Sequence, residues 1–218
     1  MTINDILTEV EAFAPLAYQE DYDNCGLLTG NKNWEATGAL LTLDCTESVV
    51  DEAIEKGCNL IIAHHPVIFS GLKKLTGSGY VERTIIKAIK HDIAIYACHT
   101  NIDNVRSGVN RKIGEKLGLK NLSILAQKTG LLKKLVTFVP ASHHDVVLKA
   151  LFAAGAGNIG NYDSCSFNTE GTGTFKGNAQ SNPFAGKRNE LSREQEIRIE
   201  SIFEIANEQK VLSALLSA

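Results

Sequence analysis

Residues 60–71 read LIIAHHPVIFSG, an apolar run that stops on two adjacent histidines and a proline. The run has the length of a strand and is apolar at consecutive positions, as expected of a strand buried on both faces. Pro66 then fixes the exit of the chain. Upstream, ALLTLD (39–44) is a second short apolar run. A helix over 47–56 follows it, with Val49, Val50, Ala53 and Ile54 on one face and Gly57 as its stop. Downstream, after a loop containing TGSGY (76–80), VERTIIKAIKHD (81–92) reads as a helix with Val81, Ile85 and Ile89 in register. It leads into a third run within IAIYACHTNID (93–103), and Val109, Ile113 and Leu117 then mark another helix. Strands of this kind alternating with helices predict an α/β fold, a parallel-stranded sheet with helices covering both sides.

The N-terminus reads as a helix carrying Ile3, Ile6, Leu7, Val10 and Phe13, capped by Thr2 and ended by Pro15. It has neither the basic region nor the apolar core of a signal peptide. From residue 127 the rhythm changes. A strand in KKLVTFVP (133–140) precedes a helix bearing Val147, Ala150, Leu151 and Ala154. YDSCSFN (162–168), a glycine-rich hairpin TEGTGTFKG (169–177) and a polar loop over 178–192 come next. EIRIESIFE (196–204) alternates as a strand does, and NEQKVLSALLSA (207–218) closes as a helix. The order is that of a ferredoxin-like α+β unit without its last strand. The expected domains are therefore 1–126 and 127–218.

The chain has 218 residues, 44% of them hydrophobic and 22% charged, with a formal net charge of -3. That balance gives no electrostatic footprint for nucleic acid or anionic lipid, and no apolar run is long enough for a membrane span. The cysteines number five with no CxxC pair, which excludes a disulfide framework and a cysteine zinc site and points to a reducing cytoplasm.

In an open α/β sheet, ligands gather beyond the carboxyl ends of the strands. Here those ends carry Asp44 and Cys45, then His64 and His65, then His99 with Asn101 and Asp103 close behind. Neutral imidazoles and a carboxylate suit divalent zinc, iron or manganese in a catalytic rather than a structural site. His64, His65 and Asp103 are the candidate ligands. For His99 two readings stand, a partner orienting a ligand or a histidine satisfied within the fold. Asn101 is a further residue of that outer shell. Asp44 reads first as a cap for the helix beginning at Glu47, and Cys45 and Cys98 as packing residues. His143 and His144 read as an exposed helix start after a capping Ser142. Lys73 and Lys74 are placed either to meet a substrate phosphate or to form a solvated surface, and TGSGY to form part of a lid.

Three stretches, DYDNCGLLTG (21–30), IIAHHPVIFSGLKKL (61–75) and IAIYACHTNIDN (93–104), resemble the N-terminal signatures of the NIF-three-like family, often called GTP cyclohydrolase 1 type 2. ALFAAGAGNIGNYDSCSF (150–167) and GTGTF (171–175) resemble the PII-like domain inserted in its longer bacterial members. The family usually has tryptophan where this chain has Tyr22. The resemblance implies a metal-dependent hydrolase that opens the guanine ring of GTP, with two metal ions held by residues matching His64, His65 and Asp103 together with a His and a Glu four residues apart in the C-terminal half. No HxxxE occurs in this chain. The expectation is therefore a sequence ending inside its insert, holding one metal or fewer and deficient in catalysis. A regulatory or ligand-sensing protein is the alternative. The resemblance also implies a homo-oligomer, a ring-like hexamer built from dimers.

Overall fold

The computed structural model describes residues 1–218 and divides into two compact units, Met1–Gln127 and Lys128–Ala218. In the first, α1 (Ile3–Phe13) is started by a capping box in which Thr2 Oγ1 accepts from the Asp5 amide while the Asp5 carboxylate accepts from the Thr2 amide. The chain then forms β1 (Gly26–Thr29), β2 (Ala39–Asp44), α2 (Glu47–Glu55), β3 (Leu60–His65), α3 (Tyr80–Lys90), β4 (Ala94–Ala97), α4 (Thr100–Asp103) and α5 (Val109–Lys116). The sheet order is β1-β4-β3-β2, with β2, β3 and β4 parallel and β1 antiparallel to β4.

The consecutive apolar residues of β3 and β4 are divided between two cores. Ile61, Ala63 and Ile95 meet Val50 and Ala53 of α2 and Ile85 and Ala88 of α3. Leu60, Ala94 and Tyr96 meet Ile3 and Leu7 of α1 on the opposite face. Both faces are thus covered at the centre of the sheet, but not at its edge. Leu41 and Leu43 share the α1 face with Ile62, yet they are 74% and 60% exposed, because α1 lies over the central strands and not over β2. The stripe on α5 is a further correction. Ile113 and Leu117 fall at helical spacing but are exposed, and the buried α5 residue is Gly114, which Leu122 approaches closely. β1 escaped the sequence reading because four residues in a glycine-flanked segment give too little periodicity to register.

The loop before α3 is anchored by its own helix. Glu82 accepts hydrogen bonds from the Thr76, Gly77 and Ser78 amides and from the Thr76 and Ser78 hydroxyls. The amide and hydroxyl of Thr76 are the main reason that the Glu82 carboxyl is pulled down to about 2. Its contribution to holding the loop is therefore present above the ordinary 4.5 and is lost as pH falls through about 2. The Thr76, Gly77 and Ser78 amide resonances should titrate together with that low midpoint, and the transition should vanish in Glu82→Gln. A midpoint at 4.5 would show that these bonds do not persist in solution.

The second unit contains β5 (Leu132–Pro140), α6 (His144–Ala153), β6 (Phe167–Lys176), β7 (Leu191–Glu204) and α7 (Glu208–Ser217). Its sheet is antiparallel in the order β5-β7-β6. Both helices pack on one face, where Leu151 and Val211 meet Val139, Ile199 and Phe203. TEGTGTFKG does not form a hairpin of its own. It runs straight within β6, and the turn is the longer loop that follows, with β7 beginning at Leu191. The glycines serve close approach here, since a Cβ on Gly173 would run into the Glu196 carboxylate across the strand pair. Ser142 does not cap α6. Its hydroxyl bonds to His143 Nδ1, and His143 occupies the cap position without a side-chain bond to the helix.

Candidate metal centre

The parallel pairing of β3 with β4 brings their carboxyl ends side by side. His64 and His65 end β3, and His99 follows β4 as the residue before α4. Successive strand residues point to opposite faces, but at this end the two rings converge, with centroids 4.9 Å apart. The His99 ring stands edge-on to both, at 5.1 Å from His64 and 5.5 Å from His65. One ring nitrogen of each of the three lies within 4.8 Å of the others.

Each Nδ1 is already engaged by an oxygen. His64 Nδ1 bonds to the Cys98 carbonyl at 2.9 Å, His65 Nδ1 to Asp44 Oδ1 at 2.8 Å and His99 Nδ1 to Asp23 Oδ1 at 2.9 Å. A carbonyl or carboxylate oxygen only accepts, so the proton of the neutral ring sits on Nδ1 and the Nε2 lone pair is left free. Oxygen partners on the far nitrogen are the usual support of metal-ligating histidines. Asp103 Oδ2 lies 3.9 Å from His64 Nε2, too long for a hydrogen bond. An ion between them, bonded at about 2.0–2.2 Å to each, would span that gap.

Asp23 is the residue that the sequence reading missed. Its side chain is fully buried, and besides His99 it accepts from the Thr100 amide, the Thr100 hydroxyl and the Cys25 thiol. Burial alone would raise its pKa, but these hydrogen bonds outweigh it and hold the carboxyl well below the usual range. The only sequence signal was its place in DYDNCG, since a carboxylate in an irregular segment has no periodicity to reveal its partner. Because the folded pKa is depressed, the stabilisation from Asp23 is present above the ordinary 3.8 and is lost as pH falls below it. Asp23→Asn should lower stability by about 1–3 kcal/mol near neutral pH and flatten the acid limb of a stability profile. Denaturant melts across pH check this, and an unchanged acid limb would count against it.

The other expected residues divide clearly. Asp44 does not cap α2, whose cap residue is Thr46; the Asp44 carboxylate holds His65 instead. His99 is satisfied through Nδ1 by Asp23 and is also turned toward the other two rings, which makes it a candidate ligand, a role that neither reading gave it. Asn101 is fully buried and donates to the Ala14 carbonyl, a bond that fixes the start of α4 against the chain after α1. Lys73 lies exposed in the loop between β3 and α3. Burial pushes the Cys45 and Cys98 thiols up to about 11, in keeping with packing and not with nucleophilic attack. His143 and His144 lie in the second unit, outside the cluster.

No helix is long and apolar enough to cross a membrane. Among curated proteins the chain is similar to the GTP cyclohydrolase 1 type 2 homolog of Halalkalibacterium halodurans, 46% identical over 209 residues that make up 95% of this chain and 56% of that protein. It is also similar to the homolog from Bacillus subtilis, 43% identical over 214 residues, 98% of this chain and 57% of that protein. The chain thus spans about half the length of the curated relatives it matches. Among solved structures, the Bacillus cereus protein related to NIF3 superposes with a TM-score of 0.78 at 42% identity, covering 100% of this chain and 58% of that one. The family profile described as Duf34/NIF3 (NGG1p interacting factor 3) matches residues 1–203, which takes in the histidine cluster and most of the second unit, and the chain belongs to that family.

Proposed function

We propose that the chain holds one divalent ion at His64, His65, His99 and Asp103 and that it supplies this centre to a metal-dependent hydrolase acting on a nucleotide or another small molecule. The observation that carries the reading is the set of three free Nε2 atoms, each oriented by an oxygen on Nδ1. Neutral imidazoles with a carboxylate suit zinc, iron or manganese. A second divalent ion on these four ligands would leave them a formal charge of about +3, offset only from behind the rings by Asp23 and Asp44.

Such an ion supplies Lewis acidity and lowers the pKa of a bound water. The residues of the chain do the positioning. The Cys98 carbonyl, Asp44 and Asp23 keep the three rings in one tautomer, and Asp103 brings the negative charge that offsets the ion. The name shared by the Halalkalibacterium halodurans and Bacillus subtilis relatives, GTP cyclohydrolase 1 type 2 homolog, supports a nucleotide as the substrate class. Self-association is part of the same reading, because β2 and β5 each leave one edge unpaired.

The test is formate or phosphate release from a panel of nucleotides with zinc, iron or manganese added, run on this chain beside the full-length Bacillus subtilis relative, with mass measured by light scattering. Release that disappears in the relative when the residue matching His65 is replaced supports the hydrolase. Saturable nucleotide binding without release would support the ligand-sensing alternative instead.

A further inference from the structure

A cavity of about 550 Å³ lies wholly within the second unit, between the end of its sheet and the loop joining β6 to β7. We propose that it binds a small organic amine with an apolar body. Its walls are Pro140, Phe175, Pro183 and Phe184, and Glu194 and Glu196 bring two carboxylates to it. The volume and the mostly apolar lining with a few polar groups are those of a small-molecule site.

The charge determines the class of ligand. Glu194 and Glu196 are two residues apart on β7 and so share the sheet face turned away from α6 and α7, which pack against Ile197, Ile199 and Phe203. Glu200, further along that face, is neutralised by Lys134 and Arg198. The carboxylates of Glu194 and Glu196 have no hydrogen-bond or ion-pair partner. Lys176 also lines the cavity without pairing to either. Opposite them β6 carries Gly173 and Gly171, and the Glu196 carboxylate lies over Gly173, where a Cβ would displace it. A cation entering here meets two unpaired carboxylates against the single charge of Lys176, beside the aromatic side chains of Phe175 and Phe184.

The loop forms a built wall. A bridge between Gly177 and Arg188 closes its base, with the Asn189 amide donating to the Gly177 carbonyl at 2.7 Å. The Ser181 hydroxyl bonds to the Asn178 carbonyl at 2.7 Å, and Gly186, at φ +80°, is seated so closely on Ser192 that a Cβ there would collide with its hydroxyl. Phe184 is held edge-on by the His143 ring at 5.3 Å. Compact loops with closed ends of this kind are frequently functional.

The experiment is calorimetric titration of the 218-residue protein with 2-phenylethylamine and with its uncharged analogue 2-phenylethanol. One saturable site for the amine is expected, with the alcohol bound at least about tenfold more weakly because a charge-assisted bond is lost. The double variant Glu194→Gln/Glu196→Gln should weaken the amine by a similar factor with an unchanged far-UV circular dichroism spectrum, and His65→Ala should leave it unaffected. Should the glutamine variant fail to fold, salt gives the same reading on the parent, since binding must weaken as ionic strength rises. Absence of saturable binding, equal affinity for amine and alcohol, or binding indifferent to salt would each overturn the assignment.

Discussion

His65→Ala is expected to weaken zinc binding by more than about 100-fold, because loss of even an outer hydrogen-bonding partner of a ligand costs about 10–100-fold. Asp44→Asn should fall within that smaller range, since the ring remains but its preferred tautomer is no longer fixed by a carboxylate. The ordering separates a metal site from a surface cluster of histidines: if the rings met only by accident of packing, removing Asp44 would change nothing. Both side chains are largely exposed, so neither substitution should unfold the chain, and circular dichroism checks that. Competition against a chromophoric chelator reads the affinities directly. Equal affinity in the parent and His65→Ala would remove His65 from the site, and with it the proposed centre.

The second large effect is on stability. Ile61 is fully buried near the start of β3, within the core formed with α2 and α3, and Ile61→Ala should cost about 2–5 kcal/mol through lost burial and the cavity left behind. Ile61→Val, which removes one methylene from a strand that favours branched side chains, should cost only about 0.5–1.5 kcal/mol. Because His64 and His65 end the same strand, Ile61→Ala should also weaken zinc binding, whereas Leu151→Ala in the core of the second unit should destabilise the protein without moving the affinity. Denaturant unfolding followed with and without zinc distinguishes these outcomes. A cost for Ile61→Ala no greater than that for Ile61→Val would mean that this face of the strand is not packed against α2 and α3.

Much of the architecture follows from local pattern. The runs at 39–44, 60–65 and 94–97 are strands, because a two-faced apolar strand needs helices on both sides; of the residues that recur at helical spacing in the helices between them, Val50, Ala53 and Ile85 are buried, whereas Ile54 and Ile89 stay exposed. His64 and His65 were legible for the same reason, since parallel strands in one sheet end together and whatever they end on is gathered there, but the third ring, His99, reads from sequence only as an orienting or satisfied histidine.

Pattern could not give the partners of the polar groups. Asp44 has the spacing of a helix cap, yet it turns to His65 across the strand pair; Asp23, without any periodicity, becomes the buried acceptor of His99. Nor could it show that Leu41 and Leu43 stay exposed, or that Gly171 and Gly173 lie in one long strand with the Glu196 carboxylate over Gly173. The physical reason is common to all of these. Burial periodicity is written along the chain, one element at a time, whereas a hydrogen-bond partner or a cavity wall depends on which distant segments are brought together, and in this protein only the tertiary structure decides that.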